Sequence, residues 1–177
     1  KISDHISLKE ATKSAQAARL GISNTPSPVQ IANMSLLAKA CFEPLRKFHG
    51  KPIYISSFFR SGTLNALTPG ASKTSQHLCG LYSGKKEAAM DIDMDVFNNG
   101  MSNAEVLLWL ANNVEFDQII WEFGSETNPS WVHVSYNLGH NRYEILKSSK
   151  TPFCDIVYKP LDIKDLNAKI DTVGFIV

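Results

Sequence analysis

The chain has 177 residues, of which 44% are hydrophobic and 20% charged, and its formal net charge at pH 7 is +1. That balance suits one globular domain with a sizeable core and excludes collagen, coiled coil and disorder. No block of Lys or Arg supplies the footprint a nucleic-acid backbone needs, no apolar run reaches the roughly 20 residues of a membrane span, and the segment 1–10 lacks a signal-peptide core. The chain starts at Lys1, so its composition is silent on an upstream export signal.

In chain order, Ser7 and Glu10 form a capping box from which a short helix can run to Gly21. Pro28 suits a first helical turn, and Ile31, Met34, Ala38, Cys41, Leu45 and Phe48 recur at three to four residue steps. A long amphipathic helix follows, bent at Pro44. The segment 52–57 reads as a strand, and 60–76, rich in Gly, Ser, Thr and Pro without periodicity, reads as a long loop. From Ala88 to Asp95, Met90, Ile92 and Met94 alternate with Asp91, Asp93 and Asp95, which predicts a strand with three carboxylates on one face. Ser102 and Glu105 form another capping box, opening a helix through Ala111. Segments 116–123 and 131–136 read as strands around a turn at 124–130, and 143–146 as another. Helices first and sequential short strands afterwards predict an α+β domain, with a mainly antiparallel sheet packed against the helices. Residues from about Ser148 onward, with Pro152 and Pro160, read as a less patterned tail.

Chemistry concentrates in three residues. His77 ends the polar loop, His133 stands inside the strand 131–136, and Asp91 lies on the polar face of its own strand. Either His alone reads as a satisfied core histidine. Two imidazoles and a carboxylate together are a ligand set of catalytic zinc sites, which leave a fourth position for water. Cys41, Cys79 and Cys154 are odd in number and widely spaced, so neither a disulfide framework nor a thiolate site is expected. Cys79 sits two residues from His77 and competes as ligand or nucleophile, although a Cys is more often a small buried apolar group. A calcium site on the three aspartates is weaker, because the alternating strand lacks the Gly-containing loop of hard-ion cages.

The segments 55–61 (ISSFFRS), 75–80 (SQHLCG), 89–92 (AMDI), 116–122 (FDQIIWE) and 131–135 (WVHVS) together resemble one family. It comprises the zinc D-Ala-D-Ala carboxypeptidases, with phage endolysins and vancomycin-resistance dipeptidases among their relatives, and shares a fold with the Hedgehog signalling domain. The resemblance covers residues 5 to 147. It implies His77, Asp91 and His133 as zinc ligands and Arg60 as the group that binds a substrate carboxylate or the developing oxyanion, a task suited to a permanently charged fork. The bland alternative for Arg60 is a surface ion pair. Ser75 and Trp131, beside the ligands, complete the expected substrate-binding set with Arg60.

Two departures from the family pattern stand out. The connection between His77 and Asp91 is lengthened by 81–87, with Gly84 and two lysines suggesting an exposed excursion at the rim of the site, and Asp93 competes with Asp91 as ligand. Relatives also carry an acid or His two or three positions before the last ligand, where this chain has Trp131 and Ser130. Glu122, ending the neighbouring strand, is the substitute general base, with Glu126 and Asp117 as weaker candidates and a structural role as the alternative. The resemblance thus implies a zinc metallopeptidase in which metal-activated water cleaves stem peptides of bacterial peptidoglycan, as a carboxypeptidase or an endopeptidase. Residues 1–149 form the catalytic domain, with N-terminal helices in 7–50 and the metal-binding core in 51–147, followed by a tail, 150–177. A monomer is expected, in the bacterial cell envelope (periplasmic or extracellular) or as a phage-encoded lysin. The rival is a catalytically silent zinc-containing binding or structural module of an envelope or virion assembly, favoured by the missing acid beside His133.

Overall fold

The computed structural model describes residues 1–164 and Leu166. Helices α1 (Leu8–Ala11), α2 (Ala15–Leu20), α3 (Pro28–Leu37) and α4 (Glu43–His49) precede strand β1 (Ile55–Ser57). Helix α5 (Gly62–Ala66), strand β2 (Glu87–Ile92), helix α6 (Asn103–Asn113) and strands β3 (Gln118–Glu122), β4 (Trp131–Asn137), β5 (Glu144–Lys150) and β6 (Ile156–Pro160) follow. Among the described residues no helix is long and apolar enough to cross a membrane.

The strands form one sheet in the order β1-β2-β4-β3-β5-β6. All neighbours are antiparallel except β3 and β5, which run parallel. The fold is α+β with a mostly antiparallel sheet, as the sequence predicts, and the parallel pair is the addition. It arises because the chain passes from the end of β4 over the start of β3 before entering β5.

The period of two along each strand divides the sheet into a core face and a site face. Met90 stands beside Val134 and Ile119, and Ile92 beside Val132 and Trp121. These side chains are buried against Met34, Leu37, Ala38 and Cys41 of the long helical segment. Each large apolar side chain buried in this layer contributes about 1.5–3 kcal/mol. The opposite face carries Asp91, His133 and Ile120 side by side.

Several sequence expectations are corrected. The helix expected from Ser7 to Gly21 is two helices, because the Phe59 amide donates to the Ala11 carbonyl at 3.0 Å and Ser14 caps a new start by accepting from the Ala17 amide. The long helix is interrupted before Pro44 by a π-helical turn at Ala38–Phe42, in which the Glu43 amide reaches back to the Ala38 carbonyl. Proline has no N–H to continue the ordinary ladder there. The loop 60–76 contains α5, capped by Ser61. The strand expected to reach Asp95 ends at Ile92, so the three aspartates do not share a face. The segment from Ser148, read as an unpatterned tail, completes β5 and supplies β6; the part of that tail at residue 165 and beyond Leu166 lies outside the described residues.

Candidate active site

His77 is held by a short 3-10 turn, Gln76–Leu78, at the end of the loop that follows α5, and is 1% exposed. Ser75 caps this turn by accepting from the His77 amide at 3.4 Å. The Arg60 amide donates to the His77 carbonyl at 2.9 Å, so the segment after β1 and the histidine turn are tied together. Asp91 and His133 are opposite one another on β2 and β4. Asp91 Oδ1 lies 3.3 Å from His77 Nε2 and 3.0 Å from His133 Nδ1. One ligand atom from each of the three residues falls within 4.8 Å of the others.

The protonation pattern fits a cation. His77 Nδ1 lies 2.7 Å from the Phe58 carbonyl oxygen, which can only accept, so Nδ1 carries the proton and Nε2 presents a lone pair. Burial lowers the pKa of His77 against the opposing pull of Asp91 and keeps the ring neutral. A lone pair and a carboxylate oxygen therefore face each other in a buried place. Burial works against the Asp91 charge too, but the His133 Nδ1 at 3.0 Å supports it, and the carboxyl sits well below the usual range. A metal ion between these atoms relieves the juxtaposition, and the carbonyl behind His77 is the outer partner that orients metal-bound imidazoles.

Asp93 does not join the cluster. Its Oδ1 accepts from the Asp95 amide at 3.1 Å and the Asn103 side chain at 3.3 Å, at the start of α6. Cys79 is fully buried, and burial pushes its thiol up to about 12, so it packs as an apolar residue and is no thiolate. Residues 81–86 are an exposed turn, with Ser83 and Lys85 at the rim of the cleft. The turn closes tightly: a Cβ at Gly80 would run into the Lys85 carbonyl, and its φ of +80° needs a glycine. The insertion therefore leaves the register of Asp91 intact.

Around the cluster is a cleft with a volume of about 1120 Å³, lined in part by Arg60, Ser75, Glu122 and Trp131. Arg60 makes no ion pair among the described residues, and its buried Nε has no hydrogen-bond partner. Burial lowers its pKa while Asp91 counteracts, and a guanidinium stays charged throughout. Glu122 is 8% exposed and accepts from Ser148 Oγ at 2.6 Å. Burial is the main reason its carboxyl sits above the ordinary value. Trp131 lies directly across the strand pair from Glu122, its ring edge-on to Phe123 at 5.5 Å.

The two weaker base candidates are otherwise engaged. Asp117 accepts a fork from Arg142, Nε to Oδ1 at 2.9 Å and Nη2 to Oδ2 at 2.7 Å, and a further bond from Gln76 at 2.7 Å. Glu126 pairs with Lys147 at 2.8 Å on the surface. Sequence reasoning missed Ser148 and Tyr158, both facing the site from the C-terminal strands, because the segment carrying them reads as a tail. No local signal marks them: the Ser148–Glu122 bond spans 26 residues.

Two imidazoles and a carboxylate converging on one face of a sheet form a cluster that could hold a metal ion, with a partly buried guanidinium nearby. Comparison with family models is more specific: the model described as Peptidase M15 matches residues 4–135, and the chain belongs to this metallopeptidase family. No curated protein matches the chain. The matched stretch includes Arg60, His77, Asp91, Glu122 and His133 and ends inside β4, before β5 and β6.

Proposed function

We propose that this chain is a zinc-dependent peptidase cleaving peptide bonds in the stem peptides of bacterial peptidoglycan, with His77, Asp91 and His133 as the ligands. The observation carrying the reading is the buried meeting of the His77 Nε2 lone pair, His133 and Asp91, ligand atoms within 4.8 Å of one another, on the floor of an open cleft. Bound zinc supplies Lewis-acid polarisation of a carbonyl and acidifies water. The remaining work falls to the side chains. Glu122, whose carboxyl burial raises above its ordinary value and so makes a better base, accepts a proton from the attacking water and returns it to the leaving amine. Arg60 offers its unsatisfied Nε–H and permanent charge to the developing oxyanion or to a substrate carboxylate. Trp131 forms an apolar wall and Ser75 the polar lip of the loop that carries His77. Such a substrate puts the enzyme at the bacterial cell envelope or in a phage lysin.

The test is metal content by mass spectrometry together with release of D-Ala or of new amino groups from peptidoglycan, for wild type and His133→Ala. Stoichiometric zinc and hydrolysis that both vanish in the variant are expected. Zinc without hydrolysis in the wild type would favour the silent binding module, and absence of zinc would overturn the ligand assignment.

A further inference from the structure

Of the three proposed ligands, two are placed by the sheet and one is not. Asp91 and His133 face each other across the β2–β4 ladder, where strand pairing fixes both. His77 comes instead from the 3-10 turn Gln76–Leu78, too short to hold itself in place. From the helix side, the Gln30 side chain donates to the Leu78 carbonyl at 2.8 Å and the Asn33 side chain to the Cys79 carbonyl at 3.0 Å. These bonds seat the turn on α3. The turn must also be set against the strands that carry the other two ligands.

Gln76, immediately before His77, makes that connection. Its Nε2 donates to Asp117 Oδ2 at 2.7 Å and to Glu87 Oε2 at 3.2 Å. Ionised carboxylates only accept, so the NH2 end of the amide is the end that faces them, and its two N–H groups match two partners. Glu87 opens β2, the strand of Asp91, and Asp117 immediately precedes β3. Asp117 is itself rigidly held. Its amide donates to the Ser135 carbonyl at 2.7 Å, its own carbonyl accepts from the Glu144 amide at 3.1 Å, and its fully buried carboxylate takes the Arg142 fork. Charge-assisted bonds of this kind are the stronger class. A chain of contacts therefore runs from Arg142 through Asp117 and Gln76 to the residue next to His77, and it begins beyond residue 135, where the family match ends.

Resting on the ligand assignment made above, we propose that Gln76 is a positioning residue for metal binding: its amide, clamped by Asp117 and Glu87, sets the turn so that His77 Nε2 meets Asp91 and His133. Arg142 acts through the same chain by fixing Asp117. A tether that only stabilised the fold would leave the metal affinity of the folded protein unchanged. A positioning tether changes it, because an imidazole that has drifted must be brought back when the ion binds. Partners behind a ligand are worth roughly 10–100-fold in metal affinity.

The experiment is competition for zinc between the protein and a chromophoric chelator, with absorption spectra of the cobalt-substituted proteins, for wild type, Gln76→Met, Arg142→Lys and Ser7→Ala. Methionine keeps the length of the side chain and removes both N–H donors. Lysine keeps the charge and removes the fork. Ser7→Ala removes the cap of α1, a helix away from the cleft, and controls for a general loss of stability. Circular dichroism checks the metal-free fold of each. Gln76→Met is expected to bind zinc at least about tenfold more weakly and to alter the cobalt bands, Arg142→Lys to move both in the same direction by less, and Ser7→Ala to move neither. Unchanged zinc affinity and cobalt bands in folded Gln76→Met, or an equal loss in Ser7→Ala, overturns the inference. Should Gln76→Met not fold, Arg142→Lys decides alone, because Arg142 is half exposed, and an unchanged affinity there overturns it. A wild type that takes up no zinc removes the ligand assignment and this inference with it. Turnover enters none of these readings, so zinc-loaded but inactive wild-type protein would refute the peptidase reading alone.

Discussion

Glu122→Gln separates the two things this carboxyl does. Glu122 is almost fully buried at the end of β3, and among the described residues its one hydrogen bond given by a side chain comes from Ser148 at 2.6 Å, a bond the glutamine oxygen can equally accept. The substitution therefore removes a buried charge at nearly constant shape. Because burial sets the folded-state pKa above the unfolded value, the favourable contribution of Glu122 is fully present below about pH 4.3 and is lost as the pH rises through the folded pKa. Glutamine does not ionise, so the variant gains on the wild type over that same window. Each pH unit by which the folded pKa exceeds the unfolded one favours the variant by about 1.4 kcal/mol. For a chain of this size that corresponds to roughly 3–5 °C in Tm. Differential scanning calorimetry of both proteins, metal-free in chelator, from pH 4 to pH 8 reads the difference directly. Coincident Tm values at pH 4 that diverge in favour of glutamine toward pH 8 are expected, alongside a loss of roughly 10²–10⁴ in kcat for the zinc-loaded enzyme. A Tm difference that does not vary with pH, or that favours the wild type at pH 8, would refute the claim that this carboxyl is destabilised by burial.

Ser148→Ala should remove the donor that favours ionised Glu122, raising the pKa of that carboxyl further; the acid limb of the kcat/KM profile should move to higher pH and activity fall roughly tenfold at neutral pH. Arg142→Ala should leave the fully buried Asp117 carboxylate without its fork and cost about 2 kcal/mol in urea unfolding at pH 7, a value reduced from that of a fully buried pair because Arg142 is half exposed. Burial opposes the Asp117 charge, but the bonds from Arg142 and Gln76 outweigh it and lower its pKa, so this contribution is present above about pH 3.9 and disappears as the pH falls through the folded value. The gap between Arg142→Ala and wild type should accordingly narrow on going from pH 7 to pH 3, and a constant gap would contradict the pairing.

The meeting of Asp91 and His133 was readable in sequence because strand alternation is local, whereas their role as ligands came from the family resemblance. Alternation in 88–92 and 131–136 already puts Asp91 and His133 on one kind of face and Met90, Val132 and Val134 on the other, and the structure has these faces in register. The capping box of Ser102 and Glu105 likewise announces α6, with the Ser102 amide donating to the Glu105 carboxylate at 2.7 Å. What escaped depends on partners distant in the chain. Whether the strand after Met90 continued to Asp95 turned on Asn103, whose side-chain oxygen accepts from the Met94 amide at 2.7 Å. The break between α1 and α2 likewise turned on the Phe59 amide. Strand β6 is short, lies at the edge of the sheet and ends in Pro160, a position where the ring is tolerated but gives no strand signal.

The crossover from β4 to β5 has a consequence for how the polypeptide can be cut. Strand β3 lies between two strands that are both synthesised after it, and one of them, β5, falls wholly beyond the family match. A chain terminated near residue 135 would retain every proposed metal ligand yet expose the unpaired amides and carbonyls of Gln118–Glu122 as a raw sheet edge, a template for aggregation. Expression boundaries drawn from family resemblance would thus yield insoluble protein, and its insolubility would be mistaken for a defect of the catalytic centre.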